Sequence, residues 1–230
     1  MVEANPVLEK YAGITKIGLQ AFREGMVEPF KGLVGLENRF NVSIRFSENS
    51  DQLIRERVVD YMRADAPFFE VIYFVAGEKA GTSYPIHTTI QEGVYEGNDV
   101  VEGYRILTNL RKESRIKEAL TEVYYTEIVF DHFLPSKETF ILAAGKIPVS
   151  IIYARQRIAD VYKEYGLNII NLDNILHSTV GRILKLPRRD NLDYFLERLL
   201  DIHKGLQEEP IRATTISAFI GTASELLSKE

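Results

Sequence analysis

Apolar and polar positions follow two different periods along the chain, in mixed order. Residues 41–46, Asn-Val-Ser-Ile-Arg-Phe, alternate polar and apolar and predict a short half-buried strand. From a cap at Ser50, Leu53, Ile54, Val58, Val59 and Tyr61 recur at helical spacing to about Met62, and Pro67 ends the run. Residues 68–76 are rich in aromatic and β-branched side chains and read as a strand. Gly77, Gly81 and Pro85 punctuate a loop before a strand over 86–91. A charged helix is predicted over 109–123. A hairpin follows, from a strand over 126–130 through a turn at 135–138 to a strand over 139–144. A helix over 149–165 stops at Gly166. Then come a strand over 176–184, a helix over 191–206 and a closing strand over 213–220. This order predicts an α+β fold with antiparallel sheets rather than a regular βαβ series. Residues 6–25 are loosely helical, weakened by Gly13, Gly18 and Gly25, and make 1–35 an arm or cap beside a main domain over 36–230.

Composition narrows the chemistry. The 230 residues hold no cysteine and four histidines. Disulfides, thiolate metal sites and a cysteine nucleophile are excluded. The net charge of -5 argues against a protein that coats long duplex nucleic acid. No basic leader is present, and no apolar run is long enough to span a bilayer, so the expected location is cytoplasmic, away from membranes. No P-loop, dinucleotide fingerprint, His-Glu-x-x-His or Gly-x-Ser-x-Gly is present.

Two histidines share one local context. Ile86-His87-Thr88-Thr89-Ile90 and Leu176-His177-Ser178-Thr179-Val180 each read apolar, His, hydroxyl residue, Thr, β-branched apolar. Serine and threonine are about a tenth of the chain, so chance places a hydroxyl two positions after two of four histidines only about one time in twenty. His132 and His203 lack the pattern. In a strand, residues i and i+2 point to one face, so His87 projects with Thr89 and His177 with Thr179, while Thr88 and Ser178 point away. Two imidazoles facing one cleft can divide proton removal from proton donation near neutral pH, and two threonine hydroxyls can donate to phosphate oxygens. That chemistry requires no metal and no cofactor. Which histidine acts as base and which as acid is open at this level.

The pair resembles the signature of the two-histidine phosphoesterase superfamily, which includes the 2′,5′-RNA ligase and cyclic phosphodiesterase group. The resemblance runs from about residue 70 to residue 223 and takes in the hairpin, the helix from Val149, the second motif with its trailing Arg182, a helix and a final strand. Leu176 stands where members often have a proline, and Pro85 is displaced by one from the first histidine. The resemblance implies two lobes of antiparallel sheet with outer helices, related by a pseudo-twofold, with the two His-x-Thr motifs in the cleft between. It implies catalytic roles for His87 and His177 and phosphate contacts from Thr89 and Thr179. The implied enzyme is a metal-independent hydrolase, a phosphodiesterase acting on 2′,3′-cyclic phosphate or 2′,5′-linked RNA ends or on small cyclic nucleotides, with a nucleotide or RNA terminus as its partner.

Arg182 lies three positions after Thr179, so a regular strand turns it to the opposite face and only a bulge or twist brings it back. It is a candidate phosphate contact, weighed against a solvated strand-end arginine. Lys185, Arg188 and Arg189 form a basic patch that reads more simply as an exposed loop, and Tyr84 and Tyr95 flank the first motif as base-stacking candidates that read more simply as core or surface packing. Two other readings stand beside the enzyme. One is a non-catalytic nucleotide or RNA sensor using the same cleft, and the other is an interaction protein with incidental histidines.

Overall fold

The structure, a computed structural model, describes residues 6–30, 38–69, 71–74, 86–97, 99–170 and 175–222. The described residues form two antiparallel sheets with helices packed outside them. The strands are β1 (Arg39–Phe46), β2 (Ile72–Phe74), β3 (His87–Val94), β4 (Glu127–Phe130), β5 (His132–Pro135), β6 (Thr139–Ala143), β7 (Asn168–Ile170), β8 (His177–Ile183) and β9 (Ile211–Thr222). One sheet has the order β4-β9-β1-β3-β7 and the other β2-β8-β6-β5. All pairings are antiparallel, which agrees with the α+β expectation.

The helices are α1 (Pro6–Glu24), α2 (Glu48–Ile54), α3 (Tyr61–Arg63), α4 (Ala66–Phe69), α5 (Val100–Lys112), α6 (Ser114–Thr121), α7 (Val149–Glu164) and α8 (Leu192–Glu208). α2 runs into α3 through a π-helical stretch, Arg55–Asp60. α2, α5 and α7 pack on the five-stranded sheet, while α1 and α8 pack on β5 of the other. α1, the helical part of the expected arm, buries Tyr11, Ala21 and Phe22. Its Gly18 is required by packing, because a Cβ there would overlap the Pro135 carbonyl.

Several elements differ from the sequence expectation for local reasons. The helix expected over 109–123 is two helices. Glu113 breaks it with an extended backbone, and its side chain caps α6 by accepting from the Arg115 N–H. α5 begins earlier, where the Asp99 carboxylate accepts from the N–H groups of Val101 and Glu102. Ser47 rather than Ser50 caps α2. Of residues 68–76, Phe68 and Phe69 lie in α4, only Ile72–Phe74 forms a strand, and Glu70 and residues 75–76 lie outside the described residues. The strand over 126–130 does not hairpin with β6. It pairs with β9 in the other sheet, and β5 is the partner of β6. Among the described residues, no helix is long and apolar enough to cross a membrane.

Candidate active site

The two motif strands approach each other where the two sheets meet. In both, the histidine and threonine are part-exposed and the residue between them is buried, so His87 shares a face with Thr89 and His177 with Thr179. The in-between residues form the joint, with Thr88 Oγ1 and Ser178 Oγ 2.5 Å apart and buried. One hydroxyl donates to the other, which offsets part of the penalty of burying them singly. The charge of His87 is felt at His177, where it helps to lower the pKa.

Both strands bulge at the same place. Thr89 pairs with Ser43 and Gln91 with Val42, leaving Ile90 as an extra residue. Thr179 pairs with Ile141 and Gly181 with Phe140, leaving Val180 as an extra residue. A bulge of one residue reverses the alternation beyond it. Arg182 is therefore part-exposed, returned to the face that carries His177 and Thr179. Its guanidinium lies 4.9 Å from the centre of the Phe30 ring, further along the strand than the histidines. The matching residue of the first strand is Glu92, which pairs with Arg39 at 3.2 Å.

Two part-buried charged groups hold the motif strands in place. Asp51 of α2 accepts from the Ile86 N–H at 2.7 Å and from Arg55 Nε at 2.5 Å, which fixes the start of β3. Arg155 of α7 donates through Nε to the Ile90 carbonyl at 2.8 Å and through Nη2 to the Ile175 carbonyl at 2.6 Å. It thus ties the bulge of β3 to the residue before the second motif. Burial pushes the Arg155 guanidinium down to about 10. Burial, then the charges of Arg155 and His87, push His177 down to about 4, so its imidazole is neutral at pH 7.

Sequence reasoning missed the residues across β1 and β9. Arg45 pairs with His87 and with Ser217, and Ser43 with Thr89 and Phe219. Ser43 Oγ lies 3.2 Å from Thr89 Oγ1. The Phe219 ring stands edge-on to His87 at 6.0 Å, and the Arg45 guanidinium lies 4.6 Å above the Phe219 ring centre. Arg45 Nε is buried and has no hydrogen-bond partner among the described residues. The signal available in sequence was the polar row of residues 41–46, which reads as solvent-facing until a second sheet stands opposite. On the His177 side the cross-strand neighbours are Ala143 and Ile141, both buried, so the site is polar on one wall and apolar on the other.

Of the flanking groups, Tyr95 packs part-buried against the core, Lys185, Arg188 and Arg189 are exposed, and Tyr84 and Pro85 lie outside the described residues. Among the described residues, no group of three or more His, Asp or Glu is arranged to hold a metal ion.

No family model and no curated protein matches the chain. Similar solved structures include the MHV ns2 PDE domain, at 10% identity over 80% of this chain and 97% of that one, with a TM-score of 0.47. Kluyveromyces marxianus Usb1 is similar at 13% identity over 80% of this chain and 98% of that one, with a TM-score of 0.42. Its structure with uridine monophosphate is similar at 13% identity over 81% and 98%, with a TM-score of 0.43.

Proposed function

We propose that the protein is a phosphodiesterase that opens 2′,3′-cyclic phosphates or cleaves 2′,5′-linked RNA ends or small cyclic nucleotides by general acid–base catalysis. The observation that carries this reading is the juxtaposition of the two His-x-Thr strands, joined by the Thr88–Ser178 contact and matched in burial and bulge. His177 is neutral at pH 7 and serves as the base. In the opening of a cyclic phosphate it takes a proton from water as the water oxygen bonds to phosphorus. The bond from phosphorus to a ribose oxygen breaks, and protonated His87 gives its proton to that oxygen. Bound phosphodiester adds a negative charge beside His177 and raises its pKa, which makes it a stronger base only when substrate is present. Thr89, Thr179 and the Arg45 guanidinium donate to the non-bridging oxygens, with Arg182 reaching a more distant phosphate or base.

The test is turnover of a 2′,3′-cyclic nucleotide by His87→Ala and His177→Ala. Each variant, shown folded by circular dichroism, is expected to lose about 10²- to 10⁴-fold in kcat. Near-full activity in either folded variant removes the two-histidine mechanism. Nucleotide binding by calorimetry with no turnover across the substrate panel assigns the cleft to a sensor instead.

A further inference from the structure

The two histidines that the seam does not use lie together at the far edge of the four-stranded sheet. His132 starts β5 and His203 lies on α8, with ring centres 5.4 Å apart. Both line a pocket of about 470 Å³ between β5, α8 and α1. The buried Tyr11 ring closes its inner side, 5.2 Å from His132, with its hydroxyl donating to the Ala144 carbonyl at 2.8 Å.

The polar groups of this pocket are set by what stands behind them. His132 Nδ1–H donates to Asp131 Oδ1 at 2.6 Å, and the same oxygen accepts from the Gly145 N–H at 2.7 Å. Burial pushes the Asp131 carboxyl up, but these two donors outweigh it and hold the group below its ordinary range. Asp131 thus fixes the orientation of the His132 ring. His203 Nδ1 accepts from the Phe133 N–H at 3.2 Å, so its proton sits on Nε2 and makes that atom a donor. Opposite them, α1 contributes Thr15, Lys16 and Arg23. No carboxylate lines the pocket among the described residues, although the chain as a whole carries -5. Leu8, Leu19 and Leu134 supply an apolar wall.

We propose that this pocket is a second ligand site, for a small organic anion with a carboxylate or phosphate head on an apolar body. The head meets the imidazoles and the two α1 cations, and the body lies on the leucines. A His203 Nε2–H fixed by a backbone N–H, beside the Lys16 and Arg23 cations, is suited to an oxyanion. This site is independent of the phosphodiesterase reading.

The chain's four histidines make the test direct. Imidazole carbon-bound proton signals, assigned with single histidine variants, are followed by NMR while the full chain is titrated with 1-naphthoate, 1-naphthyl phosphate or neutral 1-naphthalenemethanol. Both anions are expected to move the His132 and His203 signals, with the alcohol binding at least about tenfold more weakly. Naphthoate is expected to leave His87 and His177 unmoved, which separates this site from the seam. The Lys16→Ala/Arg23→Ala variant, altered only at exposed positions of α1, is expected to weaken naphthoate by about tenfold or more. Stationary His132 and His203 signals, equal affinity for the alcohol, or unchanged affinity in the double variant each overturn the proposal.

Discussion

His177 is held neutral in the fold, and that has a consequence for stability. Its ordinary value of 6.5 is pushed down to about 4, first by burial and then by Arg155 and His87. The unfolded chain takes up a proton near 6.5, whereas the folded protein does so only near 4, so stability falls as pH drops through that window. A shift of this size corresponds to roughly 3 kcal/mol, fully lost below the lower value. Urea unfolding at neutral pH and again near the folded value is expected to show this loss in the native chain and a smaller one in His177→Gln. Equal losses in both proteins place the acid sensitivity elsewhere. At the opposite wall, Arg45→Met removes a charged donor that would meet substrate, and is expected to raise KM by about 10- to 100-fold with a smaller change in kcat. An unchanged KM removes Arg45 from the site. The histidines and threonines were legible because a repeated tetrapeptide is a local signal. Arg45 and Phe219 were not, because their nearness to His87 arises from pairings across β1 and β9.

Among the elements, the joint between β3 and β8 is the most informative. Thr88→Val leaves the Ser178 hydroxyl buried without its partner and is expected to destabilise by about 1–3 kcal/mol. Thr88→Val/Ser178→Ala removes both hydroxyls and is expected to cost less than the sum of the single changes in a double-mutant cycle. Additive costs mean that the two hydroxyls do not act as a pair. Arg155→Met frees the Ile90 and Ile175 carbonyls and removes a positive charge near His177. It is expected to lower stability by about 2–4 kcal/mol. It is also expected to raise the His177 pKa, seen as an acid limb of the pH–rate profile moved to higher pH. Arg155→Lys restores the charge but not the fork of two hydrogen bonds, so it is expected to recover the pH profile more than the stability. The strands of β3, β6 and β8 were readable from period and composition. The bulges were not, since an extra residue such as Val180 is apolar like its neighbours and shows only in the register with β6. The break at Glu113 was hidden in the same way, because a capping glutamate and a helix-face glutamate look alike in sequence.

At the scale of the whole molecule, the charge of -5 coexists with two local sites lined by donors and cations. Under the proposed function, the general field repels a polyanion while the seam accepts a single terminal phosphodiester. Affinity for a 2′,3′-cyclic nucleotide is therefore expected to fall by no more than about tenfold between about 50 and 200 mM salt, whereas long duplex RNA binds weakly at both. A steep salt dependence points to a longer contact along the strand. The mixed order of helices and strands made the α+β class readable. It did not reveal which strands share a sheet, and β4 was placed with the wrong partner because adjacency in sequence was all that argued for it.

The position of β9 carries a consequence of a different kind. It lies between β1 and β4, pairing residues near both ends of the described chain, such as Phe40 with Thr222. The five-stranded sheet is thus incomplete until nearly all of the described chain has been synthesised. Before then, β1 and β4 have open edges and nothing to pair with across the gap. Folding of this lobe depends on loop closure over most of the molecule, which makes it slow relative to its helices and leaves strand edges open in the meantime.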